Sequence, residues 1–264
     1  MLNRRAFIST AGLVCAGHLV GAEAPHPRGV PLRQEPLTFD FDEFEPYLDA
    51  ATLRAHYHGY HGECLAQLRR ALSQANLCVG NVVTLMPAMH RLLTPANAHS
   101  RLSFASKKTV PEPLADEVVQ AIRLYGGAHI NHTAFWRCLG SPLRRLESPR
   151  GKLAAALQAE FGSLKKLRSA FVDAAERLPG SGWAWLTYRY DGRLIVHTTE
   201  NEDNPLMTDY VAWQEQGKPL LCVDLWEHSY TRRYQTDRRR YIHGWWKCVN
   251  WEAVERHYAI VTAA

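Results

Sequence analysis

Apolar residues recur along this chain with two different periods, and the change between them divides it. From about 43 to 76 the spacing is helical, with Leu65, Leu68 and Leu72 on one stripe. A second helical stretch runs from about 114 to 137, carries GGAHINHTAFWRCL, and is closed by GSP at 140 to 142. A long amphipathic pattern follows over about 148 to 177, where Leu153, Leu157, Phe161, Leu164, Leu167 and Phe171 recur at helical spacing. PGSGW breaks it. WAWLTYRY and RLIVHTT then read as a hairpin around Asp191-Gly192, a pair that suits a two-residue primed turn. PLLCVDLW reads as a third strand, and from about 229 the pattern is again helical and aromatic. The predicted class is α+β, with a mostly helical half preceding an α/β half.

The ends and the middle hold other signals. Arg4 and Arg5 precede the apolar run AGLVCAGHLVGA, and AEA at 22 to 24 offers small residues for cleavage. Residues 1–24 therefore read as an export signal of the twin-arginine type, which predicts a periplasmic or otherwise exported protein. The apolar run is short and interrupted by His18, so no membrane span is expected in the mature form. Residues 25–37 contain four prolines and predict an extended lead-in. A helical domain over 38–142 and an α/β domain over 143–264 follow, with a polar loop near 92–113 inside the first.

Composition narrows the function classes. The chain of 264 residues is 46% hydrophobic and 22% charged, with a formal net charge of +5. Loss of Arg4, Arg5 and Glu23 with the signal lowers that to +4. Acids and bases are interspersed, which argues against a nucleic-acid partner but allows steering of small anions. Removing Cys15 leaves Cys64, Cys78, Cys138, Cys222 and Cys248, an odd number with no CxxC spacing. A zinc–thiolate site is therefore not expected.

Histidine carries the candidate chemistry. On a regular helix the stretch HYHGYHGEC, residues 56 to 64, places His56, Tyr60 and Cys64 on one face at i, i+4 and i+8. His58 then lies opposite and His61 well off that line, so the cluster cannot wrap one metal ion by itself. Partners for His56 must come from elsewhere. His132 lies among aromatics in INHTAFW, while Asp224 and His228 stand four apart where a strand ends in DLWEHSY.

Taken together, these stretches resemble the iron/manganese superoxide dismutase family. The likeness runs through LTFDFDEFEPYLDAATLRAHYHGYH, GGAHINHTAFW, GSGWAWL and VDLWEHSYTRRYQTDRRRYIHGWWKCVNW. It covers nearly all of residues 37 to 255 outside the polar loop. It implies a helical hairpin packed on an α/β domain with a three-stranded antiparallel sheet. It also implies one Mn or Fe ion per subunit, held by His56, His132, Asp224 and His228, and superoxide as the substrate. Three imidazoles and a carboxylate suit those metals better than a thiolate set. Glu227 matches the glutamate that reaches a ligand histidine across a homodimer. Trp136, Trp183, Trp185 and Trp226 match the aromatic surround.

The residues just outside the expected ligands depart from the family. Its gateway tyrosine falls on Cys64, and its histidine four residues after the first ligand falls on Tyr60. The tyrosine that pairs with that histidine across the dimer falls on Thr231. The glutamine that meets the bound solvent falls on Glu202 in the manganese pattern and on Ala128 in the iron pattern. A dismutase acting outside the cytoplasm is the leading expectation. A metalloprotein of this fold with altered redox chemistry, and a non-catalytic homologue, are the alternatives.

Overall fold

A computed structural model describes residues 29–88 and 115–263. The export signal and the 92–113 loop lie outside the described residues. No helix among the described residues is long and apolar enough to cross a membrane.

Residues 29–39 lead in without helix or strand, bending at 32–33 and 38–39, and are followed by a short 3₁₀ turn, Phe41–Phe44. Helix α1 (Ala50–Ala55) continues through a π turn, His56–His61, into α2 (Gly62–Gln74). The helix begins at Ala50 rather than near 43. Pro46 interrupts the approach, and the Asp49 carboxylate caps the new end, accepting from Thr52 N at 2.7 Å. Helix α3 (Asp116–Ala121) likewise passes through a π turn, Ile122–Gly126, into α4 (Gly127–Cys138). Leu68 and Leu72 on α2 meet Val119, Ile122 and Ile130 in one apolar cluster, which joins these two helical runs.

The expected helix over 148–177 is two helices, α5 (Gly151–Phe161) and α6 (Leu164–Arg177). Gly162 ends the first in the left-handed region, at φ 77°, and Ser163 caps the second. Amphipathic spacing continues across this joint, so periodicity alone did not reveal it. Strands β1 (Gly182–Arg189), β2 (Leu194–Glu200) and β3 (Gly217–Asp224) form an antiparallel sheet in the order β2-β1-β3. The Asp191-Gly192 turn differs from expectation. Arg189 N bonds the Arg193 carbonyl at 2.9 Å, so three residues make the loop. Only Gly192 among them has positive φ, 85°, whereas a two-residue type I′ turn needs two such residues. Pro219 is tolerated because β3 is an edge strand.

Helices α7 (Thr231–Tyr234), α8 (Arg238–Trp246) and α9 (Trp251–Thr262) complete the chain. A large core gathers Trp183, Trp185, Trp245 and Trp251 with Phe135, Phe171 and Leu221. It packs α4 against β3, so the helical half and the sheet end meet over shared apolar surface.

Candidate metal centre

Four side chains from four separate elements converge between the two halves. His56 opens the π turn, His132 lies on α4, Asp224 ends β3, and His228 sits in a 3₁₀ turn, Glu227–Ser229. One donor atom from each lies within 4.8 Å of every other. The Asp224 Oδ2 atom is 3.1 Å from His56 Nε2, 3.3 Å from His228 Nε2 and 3.8 Å from His132 Nε2. Asp224 is fully buried and His56 and His132 are 1% exposed.

Hydrogen bonds aim two of the four donors, His132 and Asp224, inward. His132 Nδ1 donates to the Ala128 carbonyl at 2.6 Å, which leaves Nε2 as its free lone pair. Asp224 Oδ1 accepts from Trp226 N at 2.8 Å, which leaves Oδ2 for the centre. The three Nε2 atoms and Oδ2 are buried with no hydrogen-bond partner. Orphaned polar atoms in one buried cluster are costly unless something positively charged joins them. Burial pushes His132 down to about 3 and lowers His56 too, so both rings are neutral donors. Burial raises the Asp224 carboxyl, but the His228 and His56 rings beside it lower it further, and it stays ionised. Neutral imidazoles with one carboxylate form a donor set that fits a single manganese or iron ion.

Aromatic rings frame this cluster. Trp136 lies 5.0 Å from His56, and Trp183 lies 5.3 Å from His132. Trp226 stacks near His228 at 6.1 Å, while Trp185 touches Trp183 and bonds Thr199 instead of reaching a donor. Tyr60, 49% exposed, stacks flat on His228 at 4.1 Å. Glu227 is exposed and accepts from Ser181 Oγ at 2.8 Å, and Thr231 Oγ1 donates to the Glu227 carbonyl. Ala128 contributes only its backbone oxygen.

Glu202 is built in firmly. Asn201 before it takes positive φ, 52°, and Gly127 lacks the Cβ that would meet the Glu202 carbonyl at 2.2 Å. Its Oε2 accepts from Trp183 Nε1 at 2.9 Å and from Asn131 Nδ2 at 3.1 Å. The Asn131 amide is itself fixed, since its Oδ1 accepts from Asn204 at 3.0 Å. Burial raises Glu202 well above the ordinary carboxylate range, helped by Asp224. A crevice of 250 Å³ reaches Glu202 from the surface past Gln120, Arg123 and Leu124. Arg123 at its rim is paired with both Asp203 oxygens and lies 3.7 Å over the Tyr210 ring. The Cys64 thiol is pushed up to about 12 by burial, with added repulsion from Glu202 and Asp224.

His61 corrects the helical-wheel expectation. It is buried, stacks on His132 at 5.2 Å with 13° between planes, and accepts from Trp136 Nε1 at 3.2 Å. A π turn bonds i to i+5, so His61 comes round beside His56 where an α-helix would carry it past. His129, Asn131 and Asn204 were also missed. GGAHINH contains the first two beside His132, but nothing in their spacing announces their partners.

The C-terminal half, residues 149–257, matches the model for iron/manganese superoxide dismutases, C-terminal domain. The chain is 33% identical over 237 residues to a manganese superoxide dismutase of Leptolyngbya boryana, covering 89% of this chain and 84% of the relative. It is 34% identical to the manganese enzyme of Bordetella pertussis, covering 86% of this chain and 93% of the relative. A superoxide dismutase [Mn/Fe] of Methylomonas sp. is 33% identical, covering 84% and 95%. The chain belongs to the iron/manganese superoxide dismutase family.

Proposed function

We propose that this chain is an exported, homodimeric superoxide dismutase whose manganese or iron ion is held by His56, His132, Asp224 and His228. One observation carries the reading: four buried donor atoms, none with a hydrogen-bond partner, point at one another from four elements. Such a cluster stabilises nothing by itself and is explained by a cation. A bound ion supplies one-electron cycling, so that one superoxide is oxidised to dioxygen and the next is reduced to peroxide.

The chain's own residues supply orientation and protons. The crevice lined by Gln120, Arg123 and Leu124 opens on Glu202, outside the four donors. In the metal-free chain burial favours the protonated form of Glu202, and Oε1 is the oxygen for that proton because Oε2 accepts from Trp183 and Asn131. In that form it donates one hydrogen bond, as the family's glutamine does through its amide. Tyr60 covers the outer face of His228 and limits solvent there. Mn- and Fe-loaded protein is expected to dismutate superoxide in a standard assay. Activity no higher than that of the free metal would refute the proposal.

Export rests on Arg4, Arg5 and the apolar run after them. Replacing both arginines by lysine should keep the protein in the cytoplasm on cell fractionation. Dimerisation rests on exposed Glu227 beside His228, where a second chain could meet it. Light scattering should give twice the chain mass, and Glu227→Ala should shift it toward the monomer.

The altered surround supports a second reading, in which the redox chemistry is retuned toward peroxide. Its specific motive is an acid at Glu202 and a partly buried thiol at Cys64 within electrostatic reach of it. Unchanged rates toward superoxide and peroxide in Glu202→Gln with Cys64→Tyr would remove it.

A further inference from the structure

The lead-in is more than a tether. It crosses the helical half as an irregular strap, bent at 32–33, and is bonded there at several points. Arg137 on α4 grips the Glu35 carboxylate with two N–H groups, at 2.8 and 2.5 Å. Tyr57, next to His56, donates its hydroxyl to the Glu35 carbonyl at 2.6 Å. The Val30 carbonyl accepts from Val82 N at 2.8 Å. One further bond enters the interior: the Pro31 carbonyl lies 2.8 Å from Nε2 of His129, which is fully buried.

That bond ends a directed chain. Trp136 Nε1 can only donate, so His61 Nδ1, 3.2 Å away, is a lone pair. The His61 proton is then on Nε2, which faces His129 Nδ1 at 2.8 Å. The His129 proton is therefore on Nε2 and faces the Pro31 carbonyl, which can only accept. Burial lowers both imidazoles, in keeping with two neutral rings. A third proton anywhere would set two donors face to face. The chain starts at an indole packed 5.0 Å from His56 and passes through a ring stacked on His132. Two of the four donors therefore touch it.

We propose that His129 is a positioning residue for the metal centre, coupling the docked strap to the ring planes that hold the ion. The proposal rests on the quartet being the ion site. Strap docking then slows release of the ion, and by reciprocity the bound ion holds the strap down. A packing role alone would lower the melting temperature without linking those two events.

The test compares the full-length, manganese-loaded chain with His129→Leu and His129→Gln. Gln keeps an acceptor toward His61 and a donor toward Pro31, whereas Leu keeps only volume. Manganese release to excess chelator is followed beside hydrogen exchange of the strap amides, residues 30–37. The Leu variant should release the ion about 10-fold faster and exchange its strap faster, while Gln stays within about 3-fold of the parent. Equal release from Leu and parent overturns the proposal. So does a Gln variant that behaves like Leu, which would leave His129 a packing residue. Should Leu fail to fold, the parent decides: strap exchange must slow when manganese is added to the metal-free chain, and unchanged exchange overturns the coupling. A parent that takes up no ion defeats the ion-site reading and this proposal together. A parent that binds it tightly with an indifferent strap defeats this proposal alone.

Discussion

The two halves of the molecule each bring two donors to the centre, and they hold them differently. His56 and His132 come from helices, are 1% exposed, and are backed by Trp136, His61 and Trp183. Asp224 and His228 come from the end of β3 and the turn after it, and the His228 side chain is 12% exposed. Its outer cover is Tyr60, itself half open to solvent. The helical side is a packed wall and the strand-end side is the open face. The departures that the sequence resemblance implies, at Tyr60, Cys64, Glu202 and Thr231, lie around these donors rather than among them. Changes to the donors should therefore abolish ion retention, and changes around them should tune it.

The largest expected effect follows from Asp224, whose Oδ2 lies within 3.8 Å of all three ring nitrogens. Asp224→Asn should weaken manganese binding by about 100-fold or more in equilibrium dialysis, since it deletes the only anionic donor. Retention at the parent level would mean that the cluster is not the ion site.

Glu202→Gln comes next, and pH gives it a sign. In the metal-free chain burial raises the folded Glu202 above its unfolded value of 4.5. Between those two values the unfolded chain has lost a proton that the folded chain keeps. The Glu202 contribution is fully present below the unfolded value and is lost as pH rises toward the folded one. Its limiting slope is about 1.4 kcal/mol per pH unit. The Gln variant lacks this loss. It should melt above the parent at pH 7 and converge with it near pH 4. Parallel curves across that range would show that Glu202 is ionised in the fold.

The four clustered residues were legible because each stood in a stretch with its own signature, and DLWEHSY holds two of them four apart. The surround was legible only as a set of substitutions. His61 was misplaced because a uniform 100° step cannot represent a π turn, and HYHGYH carries no residue that announces one. The joint at Gly162 was lost for a related reason: α5 and α6 keep their apolar stripes in phase across it. The strap's role was out of reach, since proline-rich composition predicts extension but not which carbonyl meets a buried imidazole. The fold's class, by contrast, rests on periodicity over whole elements and survives such local errors.

Tyr60→Ala should have a smaller effect than either donor or Glu202 changes. It removes one stacked ring, a contact of about 0.5–1.5 kcal/mol, so manganese release should quicken roughly 2- to 10-fold. A response as large as that of Asp224→Asn would erase the distinction between wall and open face.

Cys64 should matter least to ion retention and most to the choice between the two redox readings. A sulfur acts as nucleophile or soft ligand through its thiolate. With the thiol near 12 in the metal-free chain, its thiolate at neutral pH is roughly 10³- to 10⁴-fold scarcer than that of a free cysteine at about 8.5. Iodoacetamide should therefore label Cys64 slowly, and Cys64→Ala should retain manganese as the parent does. After burial itself, Asp224 and Glu63 raise the thiol by their charge, and Glu202 adds to this only when ionised. If Glu202 is neutral as argued, Glu202→Gln leaves that labelling slow, because no charge is removed. Fast labelling of Cys64 in the parent would instead place a reactive thiol beside the centre, and the peroxide-linked reading would then displace simple dismutation.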